Sequence, residues 1–154
     1  MPSLNLPAFD TKITSRDGRP VIFDSIRLKY VALTPEEWVR QHFIQYLISC
    51  KAYPQNLLAN EINLQLHGTT KRCDSIVYDI FLVPLMILEY KAPHVTIKRE
   101  VFDQISRYNA ALRVKYLTVS NGLTHYCCMI DYASSSYSFL SEIPLYSELV
   151  RPGS

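Results

Sequence analysis

The chain has 154 residues, 48% hydrophobic and 19% charged, a balance that excludes a disordered segment and fits one domain with a single core. A formal net charge of +2 at pH 7 permits a nucleic-acid partner but excludes recognition driven by global charge, so any phosphate binding must come from local clusters. The longest apolar run, residues 80–88, is far shorter than the roughly 20 residues of a membrane helix.

Residues 1–33 contain Pro2, Pro7 and Pro20, with Ser15-Arg16-Asp17-Gly18 as a turn between two short extended pieces. They are expected to form an irregular or hairpin-like arm lying on the main domain. Thr34-Pro35-Glu36-Glu37 then reads as a capping box with proline at the first helical position. In that motif the Thr34 hydroxyl accepts from the Glu37 amide and the Glu37 carboxylate reaches back. Val39, Phe43, Tyr46, Leu47 and Cys50 recur at helical spacing, and the helix should end near Lys51, before Tyr53-Pro54. Ile62, Leu64 and Leu66 alternate with Asn63, Gln65 and His67, the period of a half-buried strand. Gly68-Thr69-Thr70 turns it.

Residues 73–78 and 85–90 read as two further strands, the second almost wholly apolar and therefore central. A second helix is predicted from about residue 98 to residue 113, with Val101, Ile105, Tyr108 and Leu112 as its buried stripe. Residues 116–120 and 125–130 form a strand pair around the Asn121-Gly122 turn. The tail, with Pro144 and Pro152, is expected to pack loosely beyond the core. The division is an arm (1–33), a main domain (34–145) and a tail (146–154). The order of elements closes most naturally as an α/β fold, a central mixed β-sheet flanked by helices.

Cys50, Cys73, Cys127 and Cys128 include no CxxC pair, which argues against a zinc knuckle. Residues 1–20 lack an apolar run and carry Asp10, Lys12, Arg16 and Asp17, so no signal peptide is read there. The expectation is a cytoplasmic protein with reduced thiols and no membrane partner.

The chemistry concentrates between Asp74 and Lys91. Asp74 is placed at the start of one strand and Glu89 at the end of the next, so a hairpin would bring the two carboxylates side by side. Glu89 and Lys91 are two apart and share a strand face, while Tyr90 turns away. Two carboxylates and a carbonyl suit Mg2+, which keeps several waters. Such an ion orients and acidifies an attacking water, and an ammonium beside it offsets charge in the transition state. Spacing alone equally allows Glu89 and Lys91 to be a solvent-facing ion pair worth little.

The pattern Asp74, then Glu89-Tyr90-Lys91 on the following strand, resembles the PD-(D/E)xK nuclease superfamily, with Cys73 where that pattern places a proline. More narrowly, the stretch from Leu33-Thr34-Pro35-Glu36-Glu37 to His42, then Thr70-Lys71-Arg72-Cys73-Asp74 and Leu88-Glu89-Tyr90-Lys91-Ala92-Pro93, is similar to the N-terminal domain of type I restriction enzyme R subunits, in a short stand-alone form. Gln104-Ile105-Ser106-Arg107-Tyr108 resembles the QxxxY signature that follows the nuclease core in such proteins. Gln104 and Tyr108 are i and i+4 on one helical face, able to meet a phosphate oxygen or orient Lys91.

The resemblance implies a restriction-endonuclease-like core and Mg2+- or Mn2+-dependent DNA cleavage. Asp74 and Glu89 would be metal ligands, and Lys91, Gln104 and Tyr108 would complete the catalytic set. Glu37 and Glu61 are candidates for a second shell, although helix capping and a strand start explain them as well. Lys71, Arg72, His94, Lys98 and Arg107 are candidate nucleic-acid contacts, with Arg99 and Arg113 nearby; a solvated face explains many such charges. His42 reads as a satisfied helix histidine. DNA is the implied partner, and a homodimer and a separate restriction or motor subunit stay open. No Walker A sequence occurs, so an ATP-driven motor is not expected from these residues. The apolar turn at residues 80–84 is unusual for a hairpin tip. It either packs under the arm or forms a protein interface, which keeps open a catalytically inactive DNA-binding or protein-interaction module on the same fold.

Overall fold

A computed structural model describes residues 1–151. The N-terminal arm is more regular than its proline content suggests. β1 (Ile13–Arg16), β2 (Arg19–Asp24) and β3 (Lys29–Ala32) form a three-stranded antiparallel sheet. The predicted turn at Asp17-Gly18 joins β1 to β2, both residues taking positive φ. Ahead of this sheet, the Asn5 amide donates to the Gly122 carbonyl at 2.8 Å. Gly122 has φ +85°, and a Cβ there would come within 2.7 Å of Leu4, so the arm closes directly over the β7–β8 turn.

α1 (Pro35–Lys51) begins and ends where the sequence predicts. The Thr34 hydroxyl accepts from the Glu37 amide at 3.0 Å, but only half of the capping box forms. The Glu37 carboxylate is drawn away by Arg27, Arg40 and Gln41, and the Thr34 amide donates to the Ala32 carbonyl instead. Cys50, assigned to the buried stripe, is exposed, and Ile44 is buried with Val39, Phe43 and Leu47. A 3-10 turn (Gln55–Leu57) leads into β4 (Leu58–Leu66), four residues earlier than the alternation indicates.

β5 (Thr69–Tyr78), β6 (Pro84–Tyr90), α2 (Arg99–Ala110), β7 (Tyr116–Ser120), β8 (His125–Asp131), β9 (Ser136–Phe139) and the single turn α3 (Tyr146–Leu149) complete the chain. The main sheet runs β4-β5-β6-β7-β8-β9. Its β6–β7 pair is parallel and the others antiparallel, so α2 is the crossover of a mixed α/β fold. β6 is central, as its apolar run requires.

Each face of this sheet carries its own core. Val39, Phe43 and Leu47 of α1 pack on Val77, Met86, Leu88 and Tyr90. Phe102 of α2 packs on Ile76, Ile87, Leu117 and Val119. Truncating Phe43 or Phe102 to alanine would cost roughly 3–5 kcal/mol. The tail is not loose: Ile143 and Leu149 are buried in the α1-side core, and the Tyr53 hydroxyl donates to the Pro144 carbonyl at 2.9 Å. Pro152 lies outside the described residues. Among them, no helix is long and apolar enough to cross a membrane.

Candidate active-site cleft

Asp74 is not at a strand start. It is the sixth residue of β5, at a point where the sheet ladder opens on both sides. The β4–β5 register runs Asn60↔Ser75 and Ile62↔Cys73, leaving Glu61 opposite Asp74 but unpaired, with a left-handed φ of +55°. A non-glycine residue there signals local strain. The β5–β6 ladder stops at Ser75↔Leu88, and one step further Asp74 stands across from Glu89. The Tyr90 amide donates at 2.9 Å to Asp74 Oδ2 rather than to a strand carbonyl. The hairpin therefore juxtaposes the two carboxylates by register.

Glu89 feels this proximity. Burial, reinforced by the Asp74 carboxylate against it, pushes the Glu89 carboxyl up to about 9, partly offset by Asn109 and Lys91. Two carboxylates in contact cannot both ionise readily without a cation. Lys91 follows β6, half-buried, its amide donating to the Ser120 carbonyl at 2.9 Å. Among the described residues its ammonium forms no salt bridge, which removes the reading of Glu89 and Lys91 as an ion pair.

Glu89 and Lys91 line a cleft of about 340 Å³ with Arg72, Gln104, Tyr108 and Asn109. The α2 stripe is rotated from the predicted one. Phe102 and Asn109 are its buried residues, and Tyr108 is 51% exposed, its ring covered by the Lys71 ammonium at 3.9 Å. α2 also stops at Ala110 rather than residue 113. The rotation puts Gln104 and Tyr108 on the wall of the cleft. Asp74 stands beside Glu89 without lining the cleft itself.

Other predicted residues lie elsewhere. Glu37 and Glu61 do not reach the cleft; both grip Arg40. Arg40 Nη2 donates to Glu37 Oε1 at 3.0 Å and to Glu61 Oε1 at 2.6 Å, and Nη1 donates to the Asp74 carbonyl at 2.5 Å. They act on Asp74 at one remove, through a guanidinium. Burial alone would lower the Arg40 pKa, but Glu37 and Glu61 outweigh it and raise it. Arg72 bridges the two regions, donating twice to Glu61 Oε2 while facing the cleft. His94 and Lys98 are exposed, outside the cleft lining, in the segment before α2. Arg107 lines a separate depression with Asp103 and Tyr137. His42 is held by the Trp38 carbonyl at 2.8 Å, the satisfied helix histidine of the sequence reading.

Two residues escaped the sequence reading. Arg40 sits three residues after Glu37 on the buried side of α1, and a charge placed there was the signal. Asn109 is 2% exposed at the position where the α2 stripe calls for an apolar residue.

The donor set limits what metal could fit. Among the described residues, no group of three or more His, Cys, Asp and Glu side chains is placed to hold an ion. That argues against an all-protein zinc cage but suits Mg2+, which commonly takes one or two carboxylates and keeps its waters. Asp74 and Glu89, drawn together at the cost of Glu89's acidity, fit such an ion.

The family model for the type I restriction enzyme R protein N terminus (HSDR_N) matches residues 35–144. No curated protein matches. Among solved structures, a fragment assigned as the HsdR subunit of a type I restriction enzyme from Vibrio vulnificus YJ016 is similar with a TM-score of 0.53 and 19% identity, over 76% of this chain and 24% of that one. The DrdV–DNA complex gives a TM-score of 0.44 and 16% identity, over 75% and 11%. The chain thus spans about a quarter of the Vibrio chain's length, and that likeness shows the fold. With its mixed sheet, its juxtaposed Asp74 and Glu89 and a family match over most of its length, the chain belongs to the type I restriction enzyme R protein N-terminal family.

Proposed function

We propose that this domain is a Mg2+-dependent DNA nuclease module that hydrolyses phosphodiesters without an ATP-driven motor of its own. The observation that carries the proposal is the juxtaposition of Asp74 and Glu89, with Lys91, which forms no salt bridge among the described residues, beside Glu89 in an open cleft. Asp74 and Glu89 would hold the metal, which when bound supplies an acidified water and offsets charge on the phosphate.

Lys91, which forms no salt bridge among the described residues, would donate to a non-bridging phosphate oxygen. Gln104 and Tyr108 offer an amide and a phenol from the opposite wall to position that phosphate. Lys71 and Arg72 add positive charge at the rim, contacting backbone without reading sequence. Arg40 fixes the Asp74 carbonyl and so the strand that presents its carboxylate. DNA as substrate, and a separate restriction or motor subunit as partner, follow from the family and belong to the same proposal.

Purified protein, incubated with duplex, single-stranded and branched DNA in Mg2+ or Mn2+, should cleave at least one of them. EDTA or Asp74→Ala should abolish the cut, and Lys91→Ala should reduce it by roughly 100- to 1,000-fold. Absence of cleavage on the whole panel would overturn the proposal.

A second reading rests on the apolar turn. Ile80, Phe81, Leu82 and Val83 are 52–81% exposed and do not pack under the arm. Asp79 Oδ1 locks the turn by accepting from the Phe81 and Val83 amides. Such a patch suits a protein interface. If the domain serves binding alone, its DNA or protein affinity will survive Glu89→Gln with no cleavage in the wild type.

A further inference from the structure

Glu61 takes a left-handed φ of +55° inside β4, where a strand residue is ordinarily extended. Among the described residues, the other non-glycine residues with positive φ lie in turns and loops. Glycine or asparagine would hold this conformation at lower cost. Backbone strain of this kind persists where the surroundings over-determine it. Here the surroundings are two arginines. Glu61 Oε1 accepts from Arg40 Nη2 at 2.6 Å, and Oε2 accepts from Arg72 Nε and Nη2 at 2.8 and 2.5 Å. One carboxylate thus serves two directions. Through Arg40 it reaches the Asp74 carbonyl, and through Arg72 it reaches the cleft that Glu89 and Lys91 line.

The Arg40 side is buried and secures the strand. The Arg72 side differs, because its side chain is 65% exposed, and an ion pair that open to water contributes little to the fold. Stability therefore does not account for the paired bonds to Oε2. What those bonds do is orient the guanidinium. Its Nε edge is held by Glu61, while Nη1 has no hydrogen-bond partner among the described residues. A planar guanidinium fixed along one edge is preorganised to meet an anion with the other.

We infer that Arg72 contacts a backbone phosphate in the cleft and that Glu61 is the positioning residue that fixes its guanidinium there. This rests on the nuclease reading of the cleft, with DNA as the ligand.

The test is DNA affinity of the full chain by fluorescence anisotropy in EDTA over a range of salt. Labelled duplex, single-stranded and branched DNA are compared, and the tightest binder is carried forward. Arg72→Ala should weaken binding roughly 10-fold and lower the salt slope by about one. Glu61→Gln carries the sharper expectation. If charge alone matters, deleting a negative charge beside the cleft should tighten binding. Loss of positioning should instead weaken it by roughly 3- to 10-fold, the scale of a lost orienting hydrogen bond. In the Arg72→Ala background, Glu61→Gln should weaken binding no further, which separates the route through Arg72 from the route through Arg40. Equal or tighter binding in Glu61→Gln, or a weakening that persists in full when Arg72 is alanine, would overturn the inference. Arg72→Ala changes an exposed side chain, so it keeps the inference open to refutation if thermal melts show Glu61→Gln unfolded. If the wild type binds none of the three DNAs, the DNA reading falls and takes this inference with it. If the wild type binds, Lys91→Ala weakens binding and Arg72→Ala does not, this inference alone is overturned.

Discussion

The two faces of the main sheet treat their charges in opposite ways. On the α1 face, polar groups form a continuous satisfied chain. The Tyr90 hydroxyl donates to Ser75, Ser75 to Asn60, and Asn60 to Asp24. Asp24 pairs with Arg27, Arg27 with Glu37, and Glu37 with Arg40. This chain ties the N-terminal sheet to α1 and to the back of β5. On the α2 face, among the described residues, Lys91 has no salt bridge and Asn109 Oδ1 has no partner, and burial with the Asp74 carboxylate pushes Glu89 up. A network that satisfies every member secures the fold, and the less satisfied face is the one that carries the proposed site.

Substitutions should separate the faces. Arg40→Ala removes the buried guanidinium that Glu37 and Glu61 share and frees the Asp74 carbonyl, leaving Glu37 to Arg27 and Glu61 to Arg72. It should lower unfolding free energy by about 3–5 kcal/mol in urea melts. Lys91→Ala should change stability by no more than about 0.5 kcal/mol, yet reduce cleavage by roughly 100- to 1,000-fold. Equal stability losses for both would erase the contrast.

The pH dependence should also differ in sign. On the α1 side, burial works against ionisation of Asp24 and Glu61, but their arginine and asparagine partners prevail and lower both pKa values. That stability is present at neutral pH and lost as pH falls through their lowered values. Glu89 is raised, so the folded state binds its proton more tightly than the unfolded chain. In EDTA this contribution is whole below about pH 4 and drains away as pH climbs toward about 9. Melting temperature in EDTA should therefore decline between pH 5 and pH 9, and Glu89→Gln should flatten the decline. Mg2+ should raise the melting temperature more at pH 8 than at pH 6. A slope unchanged by Glu89→Gln would contradict the placement of Glu89.

The smallest effect is expected at the rim. Tyr108→Leu removes the ring under Lys71, an exposed contact worth about 0.5–1 kcal/mol at most. Its consequence should appear in the KM for DNA more than in melting temperature.

The sequence disclosed most where pattern and burial agree. The capping box fixed α1, and the run before Glu89 marked β6 as central. β3 and β9 were missed because each is four residues long with both ends exposed, so no alternation marks them. The start of β5 was missed because Thr70 and Arg72 are exposed and read as turn. For α2, hydropathy put Tyr108 in the buried stripe; the fold leaves it 51% exposed and buries Phe102 and Asn109 instead. Asp74, Glu89 and Lys91 were legible from spacing and resemblance together. The role of Arg40 was not, since it joins Glu37, Glu61 and Asp74 from three separate parts of the chain.

The most direct measurement is a crystal soaked in Mn2+ and examined by anomalous scattering. The account predicts one peak within about 2.2 Å of an oxygen from each of Asp74 and Glu89, with Lys91 beside it and water completing the shell. Density absent from that position, or a peak bound elsewhere with the two carboxylates still paired, would contradict it.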